Sequence, residues 1–195
     1  MPLNEALTQL RWEAQWNGDG TCVVNDFCLT DRDVRNLTDG TRLVSLSSLQ
    51  SAGASIRYDP EVATWTVVHG KRWLTVRTGP KKVDIDLRTQ RLEAWQGDRL
   101  VLQCRISSGR HGRTPSGEYH AGPFRSRMHH SRRYHNAPMP WSAQIHGHIF
   151  IHGFSEVPPY PASHGCIRLP LAEGNPAKFF YEWVDDGTPV SVKRG

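Results

Sequence analysis

The residue types best suited to covalent chemistry lie in Ser163–Leu169, where a cysteine stands beside a histidine and a glycine. A second histidine, His152, stands eleven residues before this segment begins. Near neutral pH a thiol becomes a nucleophilic thiolate only beside a base or a positive charge, and His164, His152 and Arg168 offer both to Cys166. The alternative is a small buried thiol beside a hydrogen-bonded core histidine. The spacing favours a cysteine nucleophile with a histidine base.

Length and composition limit what can surround this pair. The chain has 195 residues, of which 37% are hydrophobic and 22% charged, as expected for one globular domain or two small ones. No apolar run approaches the roughly 20 residues that cross a bilayer, and residues 1–17 lack the apolar stretch of a secretory signal, so no export signal is visible. The net charge of +5 fits an anionic partner, such as nucleic acid or an acidic cell-surface polymer, as well as an ordinary basic surface.

Turn signals and apolar patterns divide the chain into three parts. Residues 1–20 form a polar leading segment with one helical turn, residues 21–80 a small α+β domain, and residues 81–195 the domain that carries the cysteine segment. Gly79-Pro80-Lys81-Lys82 marks the boundary, because it joins two chain breakers to two charges. In the second part we predict the strands Thr21–Leu29, Arg42–Val44, Ser55–Tyr58, Thr64–Val68 and Arg72–Arg77, and a helix over Ser45–Ala52.

Two cysteines of the second part lie close together in the sequence. Cys22 and Cys28 could close a small disulfide loop in an oxidising compartment, or they could be two free thiols. Their spacing does not decide between these alternatives. Cys104 lies in an apolar run and is expected to fill the core.

The third part is rich in strands and has one long helix. We predict a mainly β, α+β fold with a sandwich-like or barrel-like sheet arrangement, because hairpin patterns recur around a single helical segment. Residues 125–141 are expected to be long, basic and irregular. The predicted elements are the strands Val83–Leu87, Arg91–Trp95, Leu100–Ile106, Gly117–Ala121, Ile145–Ile151 and Pro189–Val192, and the helix Ala172–Val184.

Three histidines share one parity along the predicted strand at Ile145–Ile151 and its extension, namely His146, His148 and His152. Alternate residues of a strand face the same side, so these imidazoles could converge on a metal ion. Nothing else in the sequence supports such a site. We therefore expect no metal and no cofactor.

Residues 82–194 resemble the catalytic domain of L,D-transpeptidases, of the YkuD type, along their whole length. Several blocks stand in the family's order, which makes the likeness more specific than one motif. They are Val83-Asp84-Ile85-Asp86-Leu87 with Gln90-Arg91-Leu92 and Trp95, Ser107-Ser108-Gly109-Arg110 with Thr114-Pro115-Ser116-Gly117-Glu118-Tyr119, Ala137-Pro138-Met139-Pro140-Trp141, Ile151-His152-Gly153, Ala162-Ser163-His164-Gly165-Cys166-Ile167-Arg168-Leu169 and Gly187-Thr188-Pro189-Val190. The block Ser107-Ser108-Gly109 departs mildly from the family's Ser-Thr-Gly.

The resemblance implies an enzyme that acts on the stem peptides of bacterial peptidoglycan. Cys166 would attack the carbonyl between the third stem residue and the D-alanine at position four, release D-alanine and keep the stem as a thioester. An amine of a neighbouring stem would then complete a 3→3 cross-link, whereas water would make the enzyme an L,D-carboxypeptidase. The implied location is the periplasm or the cell wall. An effector delivered against a competitor's wall and an inactive wall-binding protein are the remaining alternatives.

The resemblance also implies roles for individual residues. His152 is the expected general base for Cys166, and the backbone N–H groups of Gly165 and Cys166 are the expected oxyanion donors. Ser163 and His164 are expected to shape the loop and orient the substrate or the base. The expected substrate-contacting residues are Arg168, Gly153, Tyr134 and Met139.

The segment Arg125–His135 mixes basic and aromatic residues, which is also typical of a nucleic-acid patch. It lies where enzymes of this family place a loop over the cleft. We therefore expect a substrate-covering flap that attracts acidic stem peptides, and no nucleic-acid partner.

The second part resembles a different small domain. Arg42–Ala54, followed by an extended stretch with Trp65 and a hairpin turning at Gly70, is similar to the stalk-type domain at the N-terminus of copper amine oxidases. That domain recurs as an accessory module in bacterial surface proteins. The resemblance carries no metal-binding or catalytic expectation.

Overall fold

The computed structural model describes residues 1–37, 40–172 and 174–195. The chain forms two compact units, Met1–Gly79 and Pro80–Gly195. Among the described residues, every helix is too short or too polar to cross a membrane.

The first unit packs two short helices against small antiparallel sheets. The sheets have the strand orders β1-β2-β3, β4-β5 and β6-β7-β8. The elements are α1 Leu3–Leu10, β1 Ala14–Trp16, β2 Cys22–Val24, β3 Phe27–Leu29, β4 Val34–Asn36, β5 Arg42–Val44, α2 Leu46–Ser51, β6 Ser55–Asp59, β7 Thr64–His69 and β8 Arg72–Arg77.

Residues 1–20 are not a separate leading segment. Helix α1 places Leu3, Ala6 and Leu10 on one face, as a helical period requires, and buries all three in the core of the first unit. The division at residue 20 was wrong because polar residues on the exposed face of α1 hide its apolar stripe.

The predicted strand Thr21–Leu29 is a hairpin, and this arrangement excludes the Cys22–Cys28 disulfide. Asn25 and Asp26 both have positive φ, 47° and 64°, which suits a two-residue hairpin turn. The register pairs Cys22 with Leu29 and Val23 with Cys28, so the two thiols face opposite sides. Cys22 is buried, Cys28 is exposed, and both are free.

The second unit is mainly β, and it confirms the predicted fold class. A five-stranded sheet has the order β11-β10-β9-β17-β12, and a four-stranded sheet has the order β13-β14-β15-β16. The pairs β9/β17 and β15/β16 are parallel, and the other pairs are antiparallel. The strands are β9 Lys81–Asp86, β10 Arg91–Gln96, β11 Arg99–Arg105, β12 Gly117–His120, β13 Arg125–Ser131, β14 Ala137–His146, β15 Ile149–Phe154, β16 Ile167–Pro170 and β17 Pro189–Lys193.

The helix of the second unit, α3, spans Pro176–Trp183 and is shorter than the predicted Ala172–Val184. It begins where Asn175 caps it, because the Asn175 side chain accepts the Lys178 N–H at 3.0 Å. Proline then occupies the first helical position, where no N–H is needed. Glu173, inside the predicted helix, lies outside the described residues.

The predicted strand Ile145–Ile151 is broken by a turn. Strand β14 ends at His146, β15 begins at Ile149, and Gly147 adopts a φ of 48° between them. The shared parity of His146, His148 and His152 therefore does not hold. Among the described residues, no three His, Cys, Asp or Glu side chains are grouped as metal ligands.

Candidate active site

Neighbouring parallel strands position Cys166 and His152. The register of β15 and β16 pairs Ile151 with Ile167 and His152 with Arg168. Both isoleucines are fully buried, so alternation places His152 and Arg168 on the opposite face. Cys166 directly precedes β16 and belongs by the same alternation to the face of Arg168. The strand pair thus brings the expected nucleophile and base to one side of the sheet.

A brace segment, residues 107–110, holds the loop that leads to the cysteine. Ser107 and Arg168 exchange two backbone hydrogen bonds, of 3.1 and 3.0 Å. The Ser108 carbonyl accepts the Ser163 N–H at 2.9 Å. These bonds fix the backbone of the cysteine loop on both sides of the thiol.

The Gln90 side chain anchors the brace segment through hydrogen bonds to Ser108. Gln90 is 2% exposed. Its amide nitrogen donates to the Ser108 hydroxyl at 2.9 Å and to the Leu87 carbonyl at 2.6 Å, and its oxygen accepts the Ser108 N–H at 2.8 Å. A buried carboxamide is stable only when its donors and acceptor are paired, and these bonds provide that pairing. The sequence placed Gln90 in the first block of the family resemblance but did not indicate its contact with Ser108.

Thr114 links the brace segment to the cysteine loop. The Thr114 hydroxyl accepts the Gly109 N–H and donates to the Gly165 carbonyl, both at 2.7 Å. The two backbones approach so closely that a Cβ on Gly109 would lie 2.8 Å from the Gly165 Cα. Only glycine fits at residue 109. The Thr-Pro block was visible in the sequence, but the partners of its hydroxyl were not.

The Ser163 hydroxyl shapes the turn before the thiol. It accepts the Gly165 N–H at 3.0 Å and donates to the Cys166 carbonyl at 2.5 Å. Both bonds lie within the loop that Ser163 was expected to shape. The Gly165 N–H was expected to stabilise an oxyanion, but here it donates to the Ser163 hydroxyl. Of the two expected oxyanion donors, the Cys166 N–H is the one that Ser163 does not engage.

Burial keeps both Cys166 and His152 neutral at pH 7. Desolvation raises the pKa of the Cys166 thiol, and only part of this is offset by a backbone hydrogen bond at Phe150 and the charge of Arg168. The thiol donates to the His148 carbonyl at 3.6 Å. Desolvation likewise lowers the pKa of His152 to about 4, against a hydrogen bond that favours its charged form. The resting site is therefore a thiol and an imidazole, not an ion pair.

The hydrogen bond of His152 fixes its tautomer. Nδ1 lies 2.9 Å from the Gly153 carbonyl, which can only accept, so Nδ1 carries the proton. Nε2 is then unprotonated and can accept a proton. Gly153 was expected to contact substrate, but it is not part of the cleft lining described below. Its carbonyl instead orients His152. Gly153 is buried, and a Cβ there would collide with the Leu171 side chain and lie 3.1 Å from the Ala177 Cβ.

A cleft of about 1340 Å³ opens over the thiol. Five of the expected site residues line it, namely Cys166, Gly165, His164, Tyr134 and Met139. The expected site residues His152, Ser163, Arg168 and Gly153 are not part of its lining. Arg168 instead lies over the Phe154 ring at 3.9 Å, where its charge acts on Cys166 without facing the cleft.

Residues 125–146 form a β-hairpin over this cleft, not an irregular loop. Strands β13 and β14 pair from Arg125–Ala143 to Ser131–Ala137, and His135 and Asn136 turn the chain with φ of 48° and 57°. We call this hairpin the flap. The basic composition hid the strands, since arginine and histidine are not typical strand formers.

An aromatic contact joins the flap to the cysteine loop. The rings of Tyr134 and His164 stack with centroids 4.5 Å apart and an interplanar angle of 20°. Arg110 donates to Nε2 of His164 at 3.0 Å, which requires that nitrogen to be unprotonated. Desolvation, followed by the charge of Arg110, lowers the pKa of the exposed His164. We call Tyr134, His164 and Arg110 the clasp.

The sequence model of the YkuD family, the L,D-transpeptidase catalytic domain, matches residues 80–192, more than half of the chain. The chain belongs to this family. Its matched region is the second unit almost from end to end, with the cleft, the flap and both parallel strand pairs. No curated protein sequence matches the chain.

Solved structures show the same fold as this L,D-transpeptidase domain. An L,D-transpeptidase from Stackebrandtia nassauensis superposes with a TM-score of 0.52 at 20% identity, over 75% of this chain and 63% of that one. Residues 123–326 of an L,D-transpeptidase from Xylanimonas cellulosilytica give 0.51 at 23%, over 79% and 72%. An L,D-transpeptidase in complex with imipenem gives 0.51 at 15%, over 89% and 91%. This chain spans less than two thirds of the first of these proteins.

Proposed function

We propose that this L,D-transpeptidase domain forms a thioester between Cys166 and the third residue of a peptidoglycan tetrapeptide stem. The observation that carries the proposal is the half-buried thiol in the cleft wall, with the neutral imidazole of His152 on the same face of the strand pair. A neutral thiol and a neutral imidazole together make a nucleophile whose proton leaves during the attack.

The proton follows a short path in this mechanism. The Cys166 S–H bond turns from the His148 carbonyl towards Nε2 of His152, which accepts the proton as sulfur attacks the scissile carbonyl carbon. The C–N bond then breaks, and the imidazolium returns the proton to the amine of the departing D-alanine. Sulfur keeps the acyl group, so atoms and charges balance. The Gly153 carbonyl supports the imidazolium, because it already accepts the Nδ1 proton.

The negative charge on the attacked oxygen needs a donor aimed at it in advance. We assign this role to the Cys166 N–H, because the Gly165 N–H is engaged by Ser163. The Ser163 and Thr114 hydrogen bonds hold that backbone in place. Ser163 and Thr114 are therefore positioning residues, and Cys166 and His152 are the catalytic residues.

The size of the cleft favours transfer to a second stem over hydrolysis. Pockets that hold one drug-sized ligand are usually about 300–1000 Å³, and this cleft measures about 1340 Å³. It has room for the acylated stem and for a neighbouring stem whose amine resolves the thioester. The expected product is a 3→3 cross-link, made in the cell wall outside the cytoplasm. The alternative is an L,D-carboxypeptidase on the same scaffold.

Product analysis tests both the proposal and the alternative. The protein is incubated with disaccharide-tetrapeptide, beside its Cys166→Ala variant, and the products are identified by mass spectrometry. We expect D-alanine and a cross-linked dimer from the unmodified protein and neither from the variant. Tripeptide without dimer would assign the carboxypeptidase activity. D-alanine released equally by the variant would exclude Cys166 as the nucleophile.

A further inference from the structure

The ionisable side chains in the wall of the cleft are, apart from the Cys166 thiol and the Tyr134 phenol, all basic. Within residues 1–37, 40–172 and 174–195, no aspartate or glutamate lines it. The basic residues of the lining are Arg113, Arg132, Arg133, His129, His130, His148 and His164. A cleft lined by one sign of charge concentrates ligands of the opposite sign.

The turn that carries the two flap arginines is held at the cleft, which both residues line. Arg132 and Arg133 lie in a tight turn that closes with the Tyr134 N–H on the Ser131 carbonyl at 3.1 Å. The next side chain, Tyr134, stacks on His164 in the clasp. The clasp therefore anchors the turn that carries Arg132 and Arg133 at the rim of the cleft, which both residues line.

A stem peptide can span the distance from the thiol to this rim. His164 stands two residues before Cys166, and two residues of extended chain cover about 7 Å. The three stem residues that remain after D-alanine leaves cover about 10 Å when extended. The tripeptide held on Cys166 by its third residue can therefore extend its first two residues along the wall that carries Arg132 and Arg133.

Arg113 supplies a third charge from the side of the brace segment. Its backbone is fixed, because its N–H bonds to the Arg110 carbonyl at 3.2 Å and its neighbour is the buried Thr114. Its carbonyl oxygen lies 3.4 Å from where a Cβ on Gly165 would be. Among the described residues, Arg113, Arg132 and Arg133 have no carboxylate in an ion pair with them. Their donors are available to a ligand.

We propose that Arg113, Arg132 and Arg133 make the cleft selective for stem peptides whose side carboxylates are free acids, against stems that carry carboxamides there. This inference rests on the proposed function, because it takes the stem peptide as the ligand. A guanidinium group pairs both oxygens of a carboxylate with two N–H donors, whereas a carboxamide offers one oxygen and a competing NH₂. Such a pair is expected to change affinity about tenfold.

Binding measured without turnover tests the selectivity. In the Cys166→Ala background, calorimetry gives the Kd of disaccharide-tetrapeptide with free side carboxylates and of the same compound with carboxamides. We expect the free acid to bind at least about tenfold more tightly. Arg132→Gln with Arg133→Gln should bring the two Kd values to within about threefold of each other, and Arg113→Gln should reduce the difference in part.

Arg127→Gln is the matched control for net charge. Arg127 lies exposed on β13 of the same flap but outside the lining of the cleft. This variant should keep the full preference for the free acid, and circular dichroism should show that all variants fold. Equal Kd values for acid and amide, or loss of the preference in Arg127→Gln as well, would overturn the inference. A preference that persists while the unmodified protein releases no D-alanine would support the inference and contradict the proposed function.

Discussion

The burial of His152 predicts a specific dependence of stability on pH. An imidazole with a pKa of about 4 in the folded protein and about 6.5 in the unfolded chain binds more protons when unfolded. The free energy of unfolding therefore falls as pH drops through the window from 6.5 to 4. At 1.36 kcal/mol per pKa unit, the loss is about 2 kcal/mol at pH 5 and about 3 kcal/mol at pH 4, and it levels off below that.

Denaturant unfolding of the protein and of His152→Asn isolates this contribution. Asparagine keeps a donor for the Gly153 carbonyl but does not titrate. The variant should show a smaller loss between pH 7 and pH 4, by about 3 kcal/mol, while the carboxylates with lowered pKa values contribute equally to both. An NMR titration of the imidazole should give a midpoint near pH 4. The same pH dependence in both proteins, or a midpoint near 6.5, would refute the reasoning.

Three further predictions concern the supports of the site and its thiols. Thr114→Val should lower the free energy of unfolding by about 2–5 kcal/mol and slow D-alanine release, because two buried backbone groups lose their hydrogen-bond partner. Thr114→Ser keeps the hydroxyl and should lower the free energy of unfolding by only about 1 kcal/mol. Urea unfolding and a rate assay distinguish these outcomes. Gly153→Ala should destabilise the protein by about 1–3 kcal/mol through its collision with Leu171, and thermal unfolding that matches the unsubstituted protein would contradict the packing argument. Imipenem should acylate Cys166 while a small alkylating reagent modifies the exposed Cys28 first, as peptide mapping can show; a carbapenem adduct on Cys104 would contradict the site assignment.

The family and the fold class were predictable because several blocks occur in a fixed order. His152 lies in β15 and Cys166 directly precedes β16, and the parallel register of these two strands places both residues on one face. The sequence failed at two turns. The turns Asn25-Asp26 and Gly147-His148 interrupt apolar runs that look continuous in the sequence. At the second turn the change of register also breaks the alternation that was expected to place His146, His148 and His152 on one side.

The hydrogen bonds that hold the site could not be predicted. Thr114 and Gly165 are 51 residues apart, and Gln90 and Ser108 are 18 apart, so no local pattern reveals that they meet. The protonation state of the Cys166 thiol could not be predicted from the sequence either. The charge of Arg168 does favour the thiolate, as its proximity in the sequence indicated, but desolvation of the thiol is the larger effect and raises its pKa. Burial is a property of the fold and is not visible in the spacing of charges.

The most direct test of the central claim is peptide mapping, by mass spectrometry, of the protein quenched during turnover. The protein is mixed with disaccharide-tetrapeptide, quenched in acid, digested and mapped. We predict an adduct of the disaccharide-tripeptide on Cys166, formed in step with D-alanine release, absent from Cys166→Ala and much slower to form in His152→Asn. Release of D-alanine with no adduct, or with an adduct on another cysteine, would contradict the account.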